Sequence, residues 1–303
     1  MKIYENLITI LTPTYNRRYT LDKLYTSLCR QTKYDFEWII IDDGSTDDTE
    51  KYCNTLQEIN FQIRYYKQQN GGKHRAINYG VSKAKGNYIF IVDSDDTLVA
   101  DAIETVLKWI NDTTSNNKLA GVAGLRGYKT TGKRIGQFPN NKSYVDAKNT
   151  ERRKKYLLGD KAEIYKTEIL RKYPFKEFVK ENFLSESTVW DEIAYQGYSL
   201  RWFNKIIYLG DYLEDGLTKQ ANKELNNFEG FTYSVQQRIK SYPLLDGIFA
   251  KGYFFSIAQQ KNLNLKQSAH KLGVNIISLW VCVCLYKLKN TLKLLFRKMS
   301  INK

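Results

Sequence analysis

Three carboxylates stand within four residues at Asp93-Ser94-Asp95-Asp96, directly after the apolar run Tyr88–Val92. Like charges this close repel and raise one another's pKa unless a cation neutralises them. A hard divalent ion, Mg²⁺ or Mn²⁺, shared with a diphosphate resolves that conflict. The plainer alternative is a solvated acidic turn in which Asp96 or Thr97 caps the next helix. A second acidic cluster, Asp42-Asp43-Gly44-Ser45, follows the apolar run Phe36–Ile41. A carboxylate there can accept from a base N–H or from ribose hydroxyls, and Asp43 is the ligand-facing candidate. The same residues also make a good β-turn, with Ser45–Asp47 able to cap a helix. Asn70-Gly71-Gly72-Lys73-His74 joins a turn, a helix N-terminus and a cation, which is an anion-binding arrangement. A histidine in a first helical turn is more often packed than a metal ligand.

These clusters need elements to hold them on one side of the molecule, and the first 110 residues supply the pattern. Short apolar runs at Leu7–Thr12, Phe36–Ile41, Phe61–Tyr66 and Tyr88–Val92 read as buried parallel strands. Leu21, Leu24, Tyr25 and Leu28 follow helical spacing, with Thr20 placed to cap. A second helix runs to Leu56 behind Thr46 or Asp47, with Glu50 at the capping-box offset from Asp47, and a third runs from Lys73 to Ala84. The βαβαβαβ order predicts a doubly wound, Rossmann-like parallel sheet flanked by helices. Ligands of open α/β sheets bind beyond the carboxyl ends of the strands. Those ends carry the three clusters above and a fourth, Thr12-Pro13-Thr14-Tyr15-Asn16-Arg17.

Several chemistries are excluded by pattern. No GxGxxG follows the first strand, no GxxxxGK[ST] is present, and no GxSxG elbow occurs. Cys29, Cys53, Cys282 and Cys284 have neither zinc-site spacing nor the density of a disulfide framework, which fits a reducing cytoplasm. Leu7–Leu11 is too short for a signal-peptide core, so secretion is not expected.

At this point the chain resembles a known family. TPTYNRRYTLDKLYTSLCRQT, WIIIDDGSTDDT, NGGKHRAINYG and YIFIVDSDD, in this order, closely resemble glycosyltransferase family 2 proteins of GT-A fold over roughly residues 5–110. The segments at 158–175, 183–194 and 212–218 look like the acceptor half of bacterial surface-polysaccharide members. The resemblance implies inverting transfer of a sugar from a nucleotide-diphosphate donor, a UDP-sugar being expected, to a hydroxyl of a glycan or polyprenyl-linked acceptor. By position Thr12, Pro13 and Tyr15 would line the base pocket and Asp43 would hold the base. Lys73 and His74 would lie over nucleotide or diphosphate, and Asp93 and Ser94 would complete the donor site. Asp95 would be the metal ligand, with Asp93 and Asp96 as further candidates and Mg²⁺ or Mn²⁺ as the ion. Direct displacement also needs a base for the acceptor hydroxyl. Glu186 matches the family's acid before an aromatic, although Ser187 stands where many members have a second acid, so Asp191 and Glu181 are the alternatives. Asp160, Lys161 and Trp190 would sit near the acceptor, and Tyr212–Gly216 resembles a loop that closes over the site in relatives. The competing readings are a nucleotidyltransferase acting on sugar phosphates and a non-catalytic nucleotide-sugar or polyanion-binding module.

The formal net charge of +15 is unevenly distributed. Residues 1–110 carry net −1, residues 111–246 net +6, and residues 247–303 ten Lys or Arg and no Asp or Glu. A nucleic-acid-binding enzyme would more often spread such charge about its cleft, so nucleic acid is not the expected partner. The apolar run Leu272–Tyr286 is shorter than the roughly 20 residues that span a bilayer. Beyond it Leu285, Leu288, Leu292, Leu295 and Met299 share a helical face among Lys287, Lys289, Lys293, Arg297 and Lys298. That is the pattern of a helix lying in an anionic membrane interface, here the inner face of the cell membrane, with Trp280 at the boundary; packing on its own domain is the alternative. The expected organisation is a nucleotide-sugar half at 1–110, an acceptor half of the same domain at 111–225, and a helical extension at 226–303.

Overall fold

In the computed structural model the described residues are 7–58, 60–211, 221–242 and 244–301. They group into two compact units, Met1–Phe175 with Ile193–Gln220, and Lys176–Glu192 with Ala221–Lys303. The first unit holds the sheet. Its strands are β1 (Ile8–Thr14), β2 (Phe36–Asp42), β3 (Gln62–Lys67), β4 (Tyr88–Ile91), β5 (Thr97–Leu98), β6 (Leu119–Gly127), β7 (Tyr144–Ala147), β8 (Lys161–Lys166) and β9 (Ser199–Leu209). The sheet order is β3-β2-β1-β4-β8-β6-β9-β5, with β7 paired to β9.

The front four strands are parallel and lie where the apolar runs predict them. β1 and β2 are buried along their whole length. Leu21, Leu24 and Leu28 of helix α1 (Arg18–Cys29) pack with Ile8, Ile10, Trp38 and Phe90 in one core. The remainder departs from a purely parallel sheet. β8 inserts antiparallel between β4 and β6, β6 and β9 run parallel to each other, and β5 and β7 pair antiparallel with β9. The fold is thus a mixed α/β sheet flanked by helices, followed by a helical region.

Helix boundaries show which local signals operate. α1 begins at Arg18 rather than behind Thr20, whose hydroxyl donates to the Arg17 carbonyl at 3.0 Å. Asp47 supplies the missing acceptor: one oxygen takes the Arg18 N–H at 3.1 Å and the other takes the Thr49 N–H at 3.1 Å. One carboxylate thereby serves the first turns of both α1 and α2 (Thr49–Cys53), which stops short of Leu56. Burial opposes the Asp47 charge, but the hydrogen bonds from Thr49 and Arg18 hold its pKa below the ordinary value. Helix α3 (Lys73–Lys83) lies on β1 and β2, followed along the chain by α4 (Ala102–Asn111) and α5 (Thr167–Lys172).

The second unit contains most of α6 (Ser187–Tyr195), then α7 (Lys223–Asn226), α8 (Phe228–Ser241), α9 (Leu244–Gln260), α10 (Leu265–Leu272) and α11 (Ile276–Ile301). Phe228, Val235, Phe254, Leu272, Leu279 and Val283 form its core. Asn264 and Gln267 make a capping box at the start of α10, and Gly273 ends it in the left-handed region.

At Gly80 of α3 helix and sheet approach closely: an added Cβ would collide with the buried Leu11 side chain of β1. Gly80→Ala is expected to lower the unfolding free energy by about 1–3 kcal/mol through overpacking, measured by urea denaturation.

Candidate functional site

The carboxyl ends of β1, β2, β3 and β4 present their loops on one rim, and side chains stitch those loops together. Asn16 stands in the left-handed region at φ 51°. Its N–H donates to Ser45 Oγ at 2.9 Å, and its side-chain oxygen accepts from the Thr46 N–H at 2.8 Å. Asp42 is buried, accepting from the Ser45 N–H at 2.7 Å and from the Tyr65 hydroxyl at 2.6 Å. Asp43 is also buried and faces the Asn70-Gly71-Gly72 turn. Its carboxylate accepts from Gln68 Nε2 at 2.7 Å, from the Gly71 N–H at 2.9 Å and from the Gly72 N–H at 2.7 Å. The anion at the amino end of α3 is therefore Asp43 itself. The next residue, Lys73, pairs with Asp93 at 2.5 Å, so this turn links the second acidic cluster to the first.

The acidic turn is held at both ends, by β4 before it and β5 after it, and the pairing Leu98↔Tyr208 brings Tyr208 of β9 beneath it. Asp96 or Thr97 does not cap a helix: Thr97 opens β5, and α4 starts only at Ala102. Tyr208 Oη accepts from the Asp93 N–H at 3.0 Å and donates to Asp96 Oδ2 at 2.8 Å. Arg126 of β6 donates to the same Asp96 oxygen at 2.5 Å, with its guanidinium 4.2 Å from the Tyr208 ring centroid. Lys129 lies 3.7 Å from Asp96 Oδ1 and donates to the Asp95 backbone carbonyl. A Cβ on Gly210 would collide with this pair, standing 2.8 Å from Asp96 Cγ and 2.9 Å from an Arg126 nitrogen.

Charge follows from these contacts. Burial works against the Asp93 charge, but Lys73 and Arg126 outweigh it and hold the carboxyl below its ordinary pKa. Burial pushes Asp96 up to about 6 against the pull of Arg126, with Asp93 and Asp95 pushing the same way. Burial and then Asp93 raise Asp95 as well. Burial also disfavours the Arg126 charge, yet Tyr208, Asp93 and Asp96 raise its pKa above the ordinary arginine value. Burial, with Asp93 beside it, keeps the Tyr208 hydroxyl protonated well above the ordinary tyrosine value.

Among the described residues Asp93 is paired with Lys73 and Asp96 with Arg126, whereas the Asp95 carboxylate makes no ion pair and is drawn on only from further off by Arg17 and Lys129. A raised pKa on a carboxylate so placed is what a bound cation would reverse. Among the described residues no three His, Cys, Asp or Glu side chains converge as a ready cage. A hard ion bound through one or two carboxylates and substrate phosphates does not require one. The donor set fits Mg²⁺ or Mn²⁺ on that footing.

The remaining sequence candidates are distributed as follows. Thr12 is buried and its hydroxyl accepts from Trp38 Nε1 at 2.9 Å; Pro13 and Ser94 are also buried, whereas Tyr15 is exposed. His74 is packed beneath the turn, 2% exposed. Asp160 is exposed at the start of β8. Its neighbour Lys161 is buried and donates to the carbonyls of Leu158 at 2.8 Å and Gly159 at 3.3 Å, fixing the turn that presents Asp160. In the helical unit Glu186 precedes α6 and is partly exposed, and Trp190 is buried. Glu181 accepts from the N–H groups of Glu229 and Gly230 at 2.7 Å each, serving the first turn of α8. Asp191 accepts from the Tyr242 hydroxyl at 2.9 Å. Tyr212–Gly216 lies outside the described residues. Arg126, Lys129, Tyr208 and Gly210 are the site residues the sequence reading missed; no local pattern marks them.

An α/β sheet whose carboxyl rim joins a carboxylate-bound helix terminus to an acidic turn is the architecture of a nucleotide-diphosphate-sugar enzyme. The chain belongs to glycosyltransferase family 2: the model of that family, Glycosyl transferase family 2, matches residues 9–174. Among curated proteins it is 36% identical over 108 residues to Glycosyltransferase GlyA of Streptococcus pneumoniae, which covers 36% of this chain and 16% of that protein. It is 33% identical over 107 residues to the GalNAc(5)-diNAcBac-PP-undecaprenol beta-1,3-glucosyltransferase of Campylobacter jejuni, covering 35% of each. The match therefore spans well under two thirds of these relatives. In fold the chain is similar to S. aureus TarS 1-349 in complex with UDP-GlcNAc, with TM-score 0.63 at 18% identity over 84% of this chain and 73% of that one. It is also similar to mannosyltransferase PcManGT from Pyrobaculum calidifontis in complex with GDP-Man and Mn²⁺, with TM-score 0.51 at 16% identity over 97% and 79%.

Two outcomes test these placements. Tyr208→Phe removes the hydroxyl shared by Asp93 and Asp96 and is expected to cost about 1–3 kcal/mol of stability, read by chemical denaturation. Burial, then the charge of Arg152, lowers Lys161 to about 8 from 10.5, so between those values the unfolded chain binds more protons than the folded one. Stability relative to Lys161→Met is therefore expected to rise from pH 8 to pH 10, measured as the difference in Tm.

Proposed function

We propose that this protein is an inverting, metal-assisted glycosyltransferase that moves a sugar from a nucleotide-diphosphate sugar, a UDP-sugar, to a hydroxyl of a glycan or polyprenyl-linked acceptor in cell-surface polysaccharide synthesis. The observation that carries this reading is the acidic turn, in which Asp93 and Asp96 are neutralised by Lys73 and Arg126 while, among the described residues, no such pair falls on the Asp95 carboxylate. UDP-GlcNAc on one structural neighbour and Mn²⁺ on another support the donor class and the ion, and one relative's undecaprenol-linked substrate supports the acceptor class. The four free thiols support a cytoplasmic setting.

In this mechanism Asp95, aided by Asp93, would hold the ion, which would supply positive charge against that developing on the departing diphosphate. Lys73 lies beside Asp93 and adds a fixed positive charge at the same place. Thr12, Pro13, Tyr15, Asp43 and Ser94 bound the nucleotide side of the rim, and Asp160 and Trp190 belong to the acceptor side. The acceptor oxygen attacks the anomeric carbon as the bond to the diphosphate breaks, and Glu186 takes the acceptor proton. Glu186 is preferred to its alternatives because it matches the family's acid before an aromatic and is partly exposed, whereas Glu181 and Asp191 are buried.

The test is a panel of nucleotide sugars with Mn²⁺ or Mg²⁺, scored by released nucleoside diphosphate in the presence of acceptor glycans. Asp95→Asn is expected to reduce turnover by roughly 10²-fold or more and to abolish metal-dependent UDP binding in calorimetry. Glu186→Gln is expected to lower kcat by about 10²–10⁴-fold with UDP affinity unchanged. Unaltered turnover in Asp95→Asn would remove the metal role, and retained turnover in Glu186→Gln would move the base elsewhere. Nucleotide-sugar binding without release of diphosphate for any acceptor would favour the non-catalytic module.

A further inference from the structure

Helix α11 has two apolar sides, and the fold uses one of them. Leu279, Cys282 and Val283 are buried in the core of the helical unit, and Tyr286, one turn further on, lies against Gly252 of α9. These positions recur at steps of three and four residues and mark the inward face. On the other side Ile277, Trp280, Val281, Leu285, Leu288 and Leu292 recur with the same spacing and are all exposed, Ile277 at 69% and Trp280 and Leu288 at 56% each. This outward stripe is about 22 Å long at the helical rise. An exposed, continuous apolar stripe of that size marks an interaction surface.

Charge identifies the occupant. Lys287, Lys289 and Lys293 are exposed on the same helix, and the whole segment 247–303 contains ten Lys or Arg and no acidic side chain. A protein groove receptive to an apolar helix would have no requirement for such uniform charge, whereas an anionic lipid surface attracts it. Among the described residues no single helix is long and apolar enough to cross a membrane. α10 and α11 would meet that length and composition only together, and they are bent by 107° to one another. An exposed stripe on a helix already packed along its opposite side can lie in the plane of a headgroup region, with Trp280 at the polar boundary.

We propose that the outward face of α11 is a docking surface for an anionic lipid bilayer, with Ile277, Trp280, Val281, Leu285, Leu288 and Leu292 entering the headgroup–acyl boundary and the exposed lysines of the helix supplying electrostatic attraction to lipid phosphates. This is peripheral attachment, and it is independent of which sugar the first unit handles. If the proposed function holds, it places an enzyme of lipid-linked or surface glycans at the membrane.

The experiment is co-sedimentation of the full chain with vesicles of phosphatidylcholine alone and of phosphatidylcholine mixed with phosphatidylglycerol, across a salt series. Binding is expected only to the anionic vesicles and is expected to weaken as salt rises. Trp280→Glu with Leu288→Glu is expected to reduce vesicle affinity by roughly tenfold or more, and Lys287→Gln with Lys293→Gln to flatten the salt dependence. Thermal melts and UDP affinity of both double variants, expected to match the parent, report that the fold and the rim are intact. Equal binding to neutral vesicles, or anionic binding unaffected by the Glu variants, would overturn the proposal. So would a dimer in light scattering that the Glu variants dissolve and that vesicles do not compete for, which would assign the stripe to a second copy of this chain.

Discussion

Burying like charges side by side is unfavourable unless each is answered, and the turn after β4 is arranged around that constraint. Asp96, the deepest of the three acids, is met by Arg126 and the Tyr208 hydroxyl. Asp93 is met by Lys73. The groups that answer them come from β6, β9 and the first turn of α3, so the turn cannot take this shape until distant parts of the sheet have assembled. The neutralised outer pair brackets Asp95, whose carboxylate makes neither contact among the described residues. Neutralisation is thus selective: the ion pairs fall on the two outer carboxylates of the turn.

The rim shows a second economy of charge. The amino end of α3 has the exposed N–H groups and partial positive charge that phosphate sites use, yet Asp43 already accepts from Gly71 and Gly72. That contact fixes the turn and aims Lys73 at Asp93. Asp47 acts similarly for α1 and α2, and Asn16 ties their two loops together. The loops beyond the strands are thus preorganised by their own polar side chains. A ligand arriving at the rim meets a surface whose backbone is largely fixed before binding, which reduces the ordering cost of recognition.

The front half was legible because its information is local. Strand runs, helical spacing and the four polar clusters each lie within a dozen residues, and the strands appear where those runs fall. What was not legible depends on contacts between distant positions. Tyr208 reaches Asp96 across a separation of 112 residues and Arg126 reaches it across 30, and neither sits in a recognisable motif. Lys161 resembled part of an acceptor element, and only the fold reveals that its ammonium is turned to the carbonyls of Leu158 and Gly159. Glu37 lies inside a run that reads as uniformly apolar, yet it is a buried charge paired with Arg64 and accepting from the Thr9 hydroxyl at 2.6 Å. Alternation rules describe which face a residue occupies; they do not register a carboxylate that a partner has made tolerable there.

The antiparallel insertion of β8 between β4 and β6 limits how this chain can be divided. β4, which carries the acidic turn, is bordered on one side by β1 and on the other by a strand that arrives more than seventy residues later. Until residues 161–166 are in place, the strand leading into the acidic turn is an open sheet edge with unpaired backbone groups, the kind of edge that recruits other chains. The motif-bearing front of the protein is therefore recognisable as a sequence module without being a folding module. Exchange of only that stretch would separate β4 from the strand that closes it.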